Sequence, residues 1–144
     1  MLTGLWFEGS RKEGNDSAAC GKKGAATRSL VRRWLDGYFA GAAPDWLPPM
    51  RVEGATPFRR MVSEEMESIP FGQTVTYGDI AKRIAVKLGK VRMSAQAVGG
   101  AVGWNPICII IPCHRVIGAG GKLTGYGGGL KNKIALLKHE GVGL

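Results

Sequence analysis

The chain has 144 residues, enough to bury one or two small cores without metal or disulfide staples. A hydrophobic content of 44% with 22% charged residues suits a globular protein, no apolar run approaches the ~20 residues that span a bilayer, and MLTGLWFEGS lacks the pattern of a secretory signal. The net charge of +9 is unevenly spread, with 12 Lys/Arg against 5 Asp/Glu in residues 57–144 and 8 against 6 in residues 1–56; a basic C-terminal part suits a phosphate backbone. These features lead us to expect a soluble intracellular protein that makes no use of a membrane.

Taken in order, Leu2 to Phe7 predicts a strand, and the Gly- and Lys-rich stretch from Glu8 to Gly24 a loop that contains Cys20. Thr27 is a candidate cap for a helix whose apolar stripe is Leu30, Val31, Trp34, Leu35, Tyr38 and Phe39, stopped at Gly41. Pro44, Pro48 and Pro49 supply no N–H for helix or ladder, so Ala43 to Gly54 predicts an ordered linker and the domain boundary. Thr56-Pro57 opens a second helix with Phe58, Met61, Val62 and Met66 turned inward, closed near Ile69-Pro70-Phe71-Gly72. Thr76-Tyr77-Gly78-Asp79 matches a capping box in acidic form before Ile80, Ala81, Ile84, Ala85 and Leu88. Ser94 caps a short helix to about Val102, and the pair has the proportions of a helix-turn-helix.

In the second helix of that pair, Ala97, Val98, Ala101 and Val102 form a packing face, while Gln96, Gly99, Gly100 and Gly103 lie opposite. Each helical glycine costs up to ~1 kcal/mol relative to alanine, so this bare face needs a reason. Close helix packing is one reading, and approach to a DNA groove only about 6 Å wide is the other. Downstream, Ile107 to Ile111 is an apolar run of undecided type, and Lys131 to His139 a last helix with Leu130, Ile134 and Leu137 on one face and Gly141 as its stop.

Three cysteines without a CxxC pair and two histidines, His114 and His139, give no expectation of a metal site. Cys108 lies within the apolar run and reads as core. Cys113 follows Pro112 and precedes His114 and Arg115. In a regular strand Cys113 and His114 would face opposite ways, but proline excludes a regular interior strand here and a turn can bring them together. A thiol of ordinary pKa, about 8.5, is only a few per cent ionised at neutral pH, and a nearby imidazole can take its proton directly or through a water. His114 needs an orienting acceptor, for which Glu140 is the leading candidate. The other reading of Cys113 is a small buried apolar residue. Gly118 to Gly129 holds seven glycines around Tyr126, a flexible surface loop or one that wraps a flat ligand.

IPCHRVI, followed by GKLTGYGGGLKNKIALLKHEG and preceded by IPFGQTVTYGDIAKRI and SAQAVGGAVGWNP, resembles the O6-alkylguanine-DNA alkyltransferases from about Thr56 to Val142. LTGLWFEG and the helix ending YFAG resemble the family's N-terminal domain. The resemblance implies an α/β (α+β) fold. A small, shortened, ribonuclease H-like N-terminal α/β domain with linker would occupy residues 1–50. A mainly helical alkyltransferase and DNA-binding domain with a winged-helix-like helix-turn-helix would occupy residues 51–144. It implies single-turnover repair, in which O6-alkylguanine (or O4-alkylthymine) is flipped from duplex DNA and its alkyl group passed irreversibly to Cys113. His114 would deprotonate the thiol through a water, Glu140 hold the imidazole, Asn105 brace the segment and Tyr77 protonate the departing base. Carbonyls of Cys113 and Val116, the amide near Gly127, the Tyr126 ring and Trp104 would line the base pocket. Ser94, Ala95, Gln96, Gly99, Gly100 and Arg115 would meet double-stranded DNA in the minor groove.

No cofactor or metal is implied, and the expected protein is a monomer, cytoplasmic and nucleoid-associated or, in a eukaryote, nuclear. Three departures stand out. Gln96 replaces the family's usual arginine, which predicts weaker extrusion; LTGLWFEG is expected to lie inside the N-terminal sheet, which would leave that sheet short of its leading strands; and the zinc ligands of some relatives have no counterparts. The alternative of the same fold is a non-enzymatic sensor of alkylated bases, against which Cys113 itself argues. A plain helix-turn-helix transcription factor would leave PCHR and the glycine loop unexplained, and a cysteine hydrolase would need a turnover step with no dedicated sequence.

Overall fold

The computed structural model describes residues 1–7, 22–123 and 129–143. The first helix, α1 (Lys22–Phe39), begins before Thr27, which therefore sits inside it and caps nothing. Its buried face is Val31, Trp34 and Tyr38, spaced three and four apart as one helical stripe requires, while Phe39 is half exposed. Gly41 at φ +94° ends it, with Ala42 N–H donating to the Gly37 carbonyl at 3.0 Å. The expected strand at Leu2–Phe7 is limited to two single parallel bridges, Leu2 to Met50 and Leu5 to Ile107. Through them the N-terminal segment grips both the proline-rich connection and the apolar run of the C-terminal part.

Helix α2 (Pro57–Glu67) is capped by Thr56, whose hydroxyl accepts from Arg59 N–H, with proline at its first position. Val62 and Met66 are fully buried, and Phe58 and Met61 only partly. A two-residue strand β1 (Val75–Thr76) runs straight into α3 (Tyr77–Lys87), with Thr76 as cap: its Oγ1 accepts from Asp79 N–H at 3.0 Å and Asp79 Oδ2 accepts from Thr76 N–H at 3.0 Å. The bond from Thr76 N–H first, and then the Thr76 side chain, hold the Asp79 carboxyl below its usual range. Helix α4 (Ala95–Trp104), capped by Ser94, packs on α2 and α3. Its inward face is Val98, Ala101 and Val102, narrower than expected, since Ala97 is exposed.

Beyond α4 the chain makes two three-residue turns. Ile110 N–H donates to the Cys108 carbonyl at 2.8 Å across Ile109, which has φ +69°. Cys113 N–H donates to the Ile111 carbonyl at 2.8 Å across Pro112, at φ −81° and ψ 64°. The second is the low-energy inverse γ form that proline favours; the first, on a β-branched residue, is strained. A 3₁₀ turn, Cys113–Arg115, leads into strand β2 (Val116–Ile117), which pairs in parallel with β1 through Val75–Val116 and Thr76–Ile117. Last comes α5 (Leu130–His139), ended by Gly141 at φ +83°. Its buried face is Lys133, Leu136 and Leu137; Leu130, expected inside, is exposed and Ile134 only partly covered. The architecture is thus a small N-terminal strand-and-helix unit with a mainly helical C-terminal domain carrying a helix-turn-helix, α3–α4.

Thr76 serves both the helix pair and the β1–β2 seam. Thr76→Ala is expected to cost about 1 kcal/mol, read as a lower urea midpoint at unchanged m value.

Candidate active site

The two γ-turns and the 3₁₀ turn bring Cys113, His114 and Arg115 into the interior on successive residues. Cys113 is a buried thiol, 4% exposed, and His114 is fully buried. Asn105, the residue that closes α4, ties the segment together: its amide donates to the carbonyls of Ile107 at 3.0 Å and Ile111 at 3.1 Å, and its Oδ1 accepts from Ile107 N–H at 3.1 Å. Three bonds from one buried side chain hold open a turn that carries few ladder bonds of its own.

Behind the thiol lies Glu140, the C-cap of α5 and likewise buried. Its Oε2 receives His114 Nε2–H at 2.5 Å, the Tyr38 hydroxyl at 2.6 Å and Arg115 Nη2–H at 3.2 Å. Its Oε1 receives Arg115 Nε–H at 2.8 Å and Gly72 N–H at 3.0 Å. Burial alone would push this carboxyl up, but the bonds from His114 and Arg115, followed by charge and the Tyr38 hydroxyl, hold it far below the usual carboxylate range. Glu140 is therefore ionised, with Arg115 as its permanent counter-charge. For His114, burial lowers the pKa below 6.5 and outweighs the opposing pull of Glu140, helped by the positive charges of Arg115 and Lys133. The imidazole is thus neutral at physiological pH. Bonding to a carboxylate assigns the proton to Nε2, so Nδ1 carries the lone pair. That atom is buried and has no hydrogen-bond partner among the described residues. Burial likewise lowers the Lys133 ammonium while a negative charge at Cys113 works the other way, which puts a buried cation within electrostatic reach of the thiol.

Of the residues expected to carry function, Cys113, His114, Glu140 and Asn105 are all buried, with His114 bonded to Glu140 and Asn105 bonded to the turn that leads into Cys113. Tyr77 stands half-buried at the first position of α3, its ring 3.9 Å from where a Cβ on Gly99 would lie. Val116 is buried, and its carbonyl accepts from Lys133 Nζ at 2.7 Å. One expectation is corrected. Arg115, expected at DNA, is 8% exposed and committed inward: besides its two bonds to Glu140 it donates Nη1–H to the Ile69 carbonyl at 2.7 Å, with its guanidinium 5.8 Å from the Phe71 ring centre. A planar fork that matches a buried carboxylate is held there by geometry as well as charge. Trp104, expected in the base pocket, has one ring face taken by Arg59 of α2, 4.4 Å from the ring centre. Tyr126 and Gly127 lie outside the described residues.

Ser94, Ala95, Gln96, Gly100 and Gly103 are exposed along one side of α4, with Gly99 partly covered. Among the described residues, a Cβ added at Gly100 or Gly103 would meet nothing within 4 Å, and one at Gly99 only the Tyr77 ring at ordinary contact distance. Close packing among the described residues therefore does not account for the glycines. Three groups escaped the sequence reading: Tyr38, Gly72 and Lys133. Lys133 shares a helical face with Leu137 and Glu140, a spacing that could have flagged it. The other two carry no local signal. Among the described residues no cluster of three His, Cys, Asp or Glu side chains is placed to hold a metal ion.

The family described as 6-O-methylguanine DNA methyltransferase, DNA binding domain, matches residues 57–142. The methylated-DNA–protein-cysteine methyltransferase of Mycobacterium tuberculosis is 48% identical over 106 residues, which cover 74% of this chain and 61% of that protein. The protein of the same description from Methanosarcina acetivorans is 50% identical over 109 residues, covering 76% and 66%. This chain thus spans about three-fifths of the length of the mycobacterial relative. The crystal structure of Mycobacterium tuberculosis OGT in complex with DNA superposes with a TM-score of 0.69 at 46% identity, covering 78% of this chain and 66% of the other. An O6-methylguanine DNA methyltransferase structure from Methanococcus jannaschii gives 0.62 at 30% identity over 90% and 74%. On the family match and these relatives together, the chain belongs to the O6-alkylguanine-DNA alkyltransferase family.

Proposed function

We propose that this protein repairs DNA by moving the alkyl group of O6-alkylguanine onto its own Cys113. The observation that carries the reading is the bond from His114 Nε2–H to Glu140, which leaves the Nδ1 lone pair as a proton acceptor one residue from a buried thiol. In the proposed reaction, the Cys113 proton passes to His114 Nδ1, through a water where the gap requires one. The sulfur then attacks the alkyl carbon in line with the breaking carbon–O6 bond. The electron pair of that bond goes to the purine, which takes a proton from the Tyr77 hydroxyl. His114 returns its proton to Tyr77 by way of solvent. The products are a thioether at Cys113 and an intact guanine, with no cofactor consumed. A thioether is not readily reversed, so each molecule acts once.

The target carbon is hidden in a stacked duplex, so the base has to be extruded at a cost of a few kcal/mol. The bare side of α4 suits this. With no side chain on Gly100 or Gly103 and none of the described residues opposite them, the helix backbone can enter a minor groove about 6 Å wide. Gln96, exposed at the start of the helix, can take the space left by the extruded base without adding charge. The basic excess of residues 57–144 supplies the nonspecific attraction. In this reading the protein acts as a monomer on chromosomal DNA.

The decisive test is intact and peptide mass spectrometry after incubation with a duplex holding one O6-methylguanine. The expected outcome is one methyl group on Cys113, stoichiometric with lesion and absent from Cys113→Ser. Tight lesion binding with no mass change would replace the transferase by a sensor. The pH dependence has a defined sign: His114 acts as acceptor only when neutral, and its pKa lies below 6.5. Single-turnover transfer should therefore be level through neutral pH and fall only at pH values below the ordinary imidazole range. Glu140→Gln is expected to slow transfer by roughly 10²-fold or more, as loss of a general base's support does. For the DNA face, Gly100→Leu should lower duplex affinity by about tenfold, ~1.4 kcal/mol, in a fluorescence-anisotropy titration, with no loss of thermal stability.

A further inference from the structure

Tyr38 lies on α1, outside the residues matched by the family's DNA-binding domain, yet its hydroxyl ends in the middle of the site. It is fully buried and donates to Glu140 Oε2 at 2.6 Å across 102 residues of sequence. The ring is held from all sides. It stacks on Trp34 at 5.5 Å and 10°, meets the edges of Phe39 and Phe71, and its main-chain carbonyl accepts from His139 Nε2–H at 2.6 Å. Packing of this kind would be satisfied by phenylalanine. The hydroxyl adds something else, because it shares one carboxylate oxygen with His114.

We propose that Tyr38 is a positioning residue for the chemistry at Cys113: by occupying Glu140 Oε2 it tempers the carboxylate's pull on His114 and keeps that imidazole a neutral proton acceptor. The inference rests on the transferase reading for its biological use, though not for its physics. A hydrogen-bond donor withdraws electron density from the oxygen that receives it. When it is removed, that density concentrates on the remaining close donor, His114 Nε2–H, and the protonated imidazole is favoured. Burial and the Glu140 carboxylate raise the Tyr38 hydroxyl far above its ordinary 10.0, so it stays a donor throughout the working range. Other charged groups facing the site are Arg115 on the 3₁₀ turn and Lys133 on α5, both of which lower His114, and Cys113 itself. His139, next to Glu140, bonds the carbonyl and packs on the ring of Tyr38. None of these contacts is removed with the hydroxyl. The consequence is that α1, an element of the N-terminal unit, sets the basicity of a group in the C-terminal domain.

The test uses the full chain and Tyr38→Phe, with two readouts that need no DNA. The protein has two histidines, so imidazole resonances can be assigned with His139→Gln and the His114 titration followed by NMR. In parallel, the rate of carbamidomethylation of Cys113 by iodoacetamide is followed from pH 5 to 8 and located by peptide mass spectrometry. In Tyr38→Phe the His114 titration is expected to move up by about half to one pH unit, with Cys113 modified ~2–8-fold more slowly near pH 6 and the deficit shrinking toward pH 8. Replacing Tyr38 by 3-fluorotyrosine, a stronger donor of nearly the same shape, should move both readouts the opposite way, and keeps the test open if the phenylalanine variant does not fold. An unmoved His114 titration, or a loss of thiol reactivity equal at every pH, would overturn the proposal and reduce Tyr38 to packing. Methyl transfer by the unaltered protein is measured alongside. Its failure with the expected imidazole shifts would sink the transferase reading and leave the Tyr38–Glu140–His114 linkage standing.

Discussion

A carboxylate taken out of water is among the most expensive things a protein can bury, and Glu140 is buried with five hydrogen bonds donated by four residues from three parts of the chain. Tyr38 comes from α1, Gly72 from the bend after α2, and His114 and Arg115 from the 3₁₀ turn. Glu140 itself closes α5. Three elements and a loop therefore converge on two oxygens. A buried charge in this position is tolerable only if every partner arrives, because losing one partner of a buried pair costs about 3–5 kcal/mol. The site and the tertiary fold are for this reason the same construction: the bonds that hold His114 in one tautomer are the bonds that dock α1 and α5 against the cysteine turn.

The turn itself spends stability for position. A β-branched residue with positive φ, Ile109, costs of the order of 1–3 kcal/mol and persists only where the surroundings dictate it. Here Asn105 spans Ile107 to Ile111, the isoleucines on either side are buried, and Leu5 bonds across to Cys108. The gain is that Cys113, His114 and Arg115 leave the apolar run as three consecutive inward-facing residues, which neither a strand nor an α-helix would present. The thiol then sits at the end of an apolar wall, beside an acceptor that its own backbone fixes.

What could be read from the sequence follows the range of the interactions. Thr56, Thr76 and Ser94 were legible as caps because a cap is satisfied within three residues, and Gly41 and Gly141 as stops for the same reason. Thr27 failed because a serviceable cap residue is also tolerated inside a helix, and α1 had a longer run to propagate. Pro112 announced a turn but not its form; nothing local says that Ile109 will take positive φ. The pairing of His114 with Glu140 can be nominated, since few acids are available, whereas the resemblance implies Arg115 at DNA and nothing local ties it to the same carboxylate. Lys133 broke the apolar pattern expected of α5, and a polar residue on a buried face is the case that periodicity handles worst. Tyr38 and Gly72, 102 and 68 residues from Glu140, leave no trace in any local pattern.

Helix α4 shows how an interface can be recognised by what it forgoes. Each exposed glycine gives up as much as ~1 kcal/mol of helix stability relative to alanine, and the space beside Gly100 and Gly103 would admit a methyl group without contact. A site that only needed a stable helix would have alanine there, and one that needed tight intramolecular packing would have atoms opposite. Neither holds. The remaining physical reason is a surface outside the molecule that has to come within van der Waals distance of the helix backbone. Because α4 packs on α2 and α3 and its C-cap is Asn105, whatever docks on that face rests on the element whose end braces the cysteine turn. The exposed glycine face and the buried cysteine turn are thus joined through one buried asparagine.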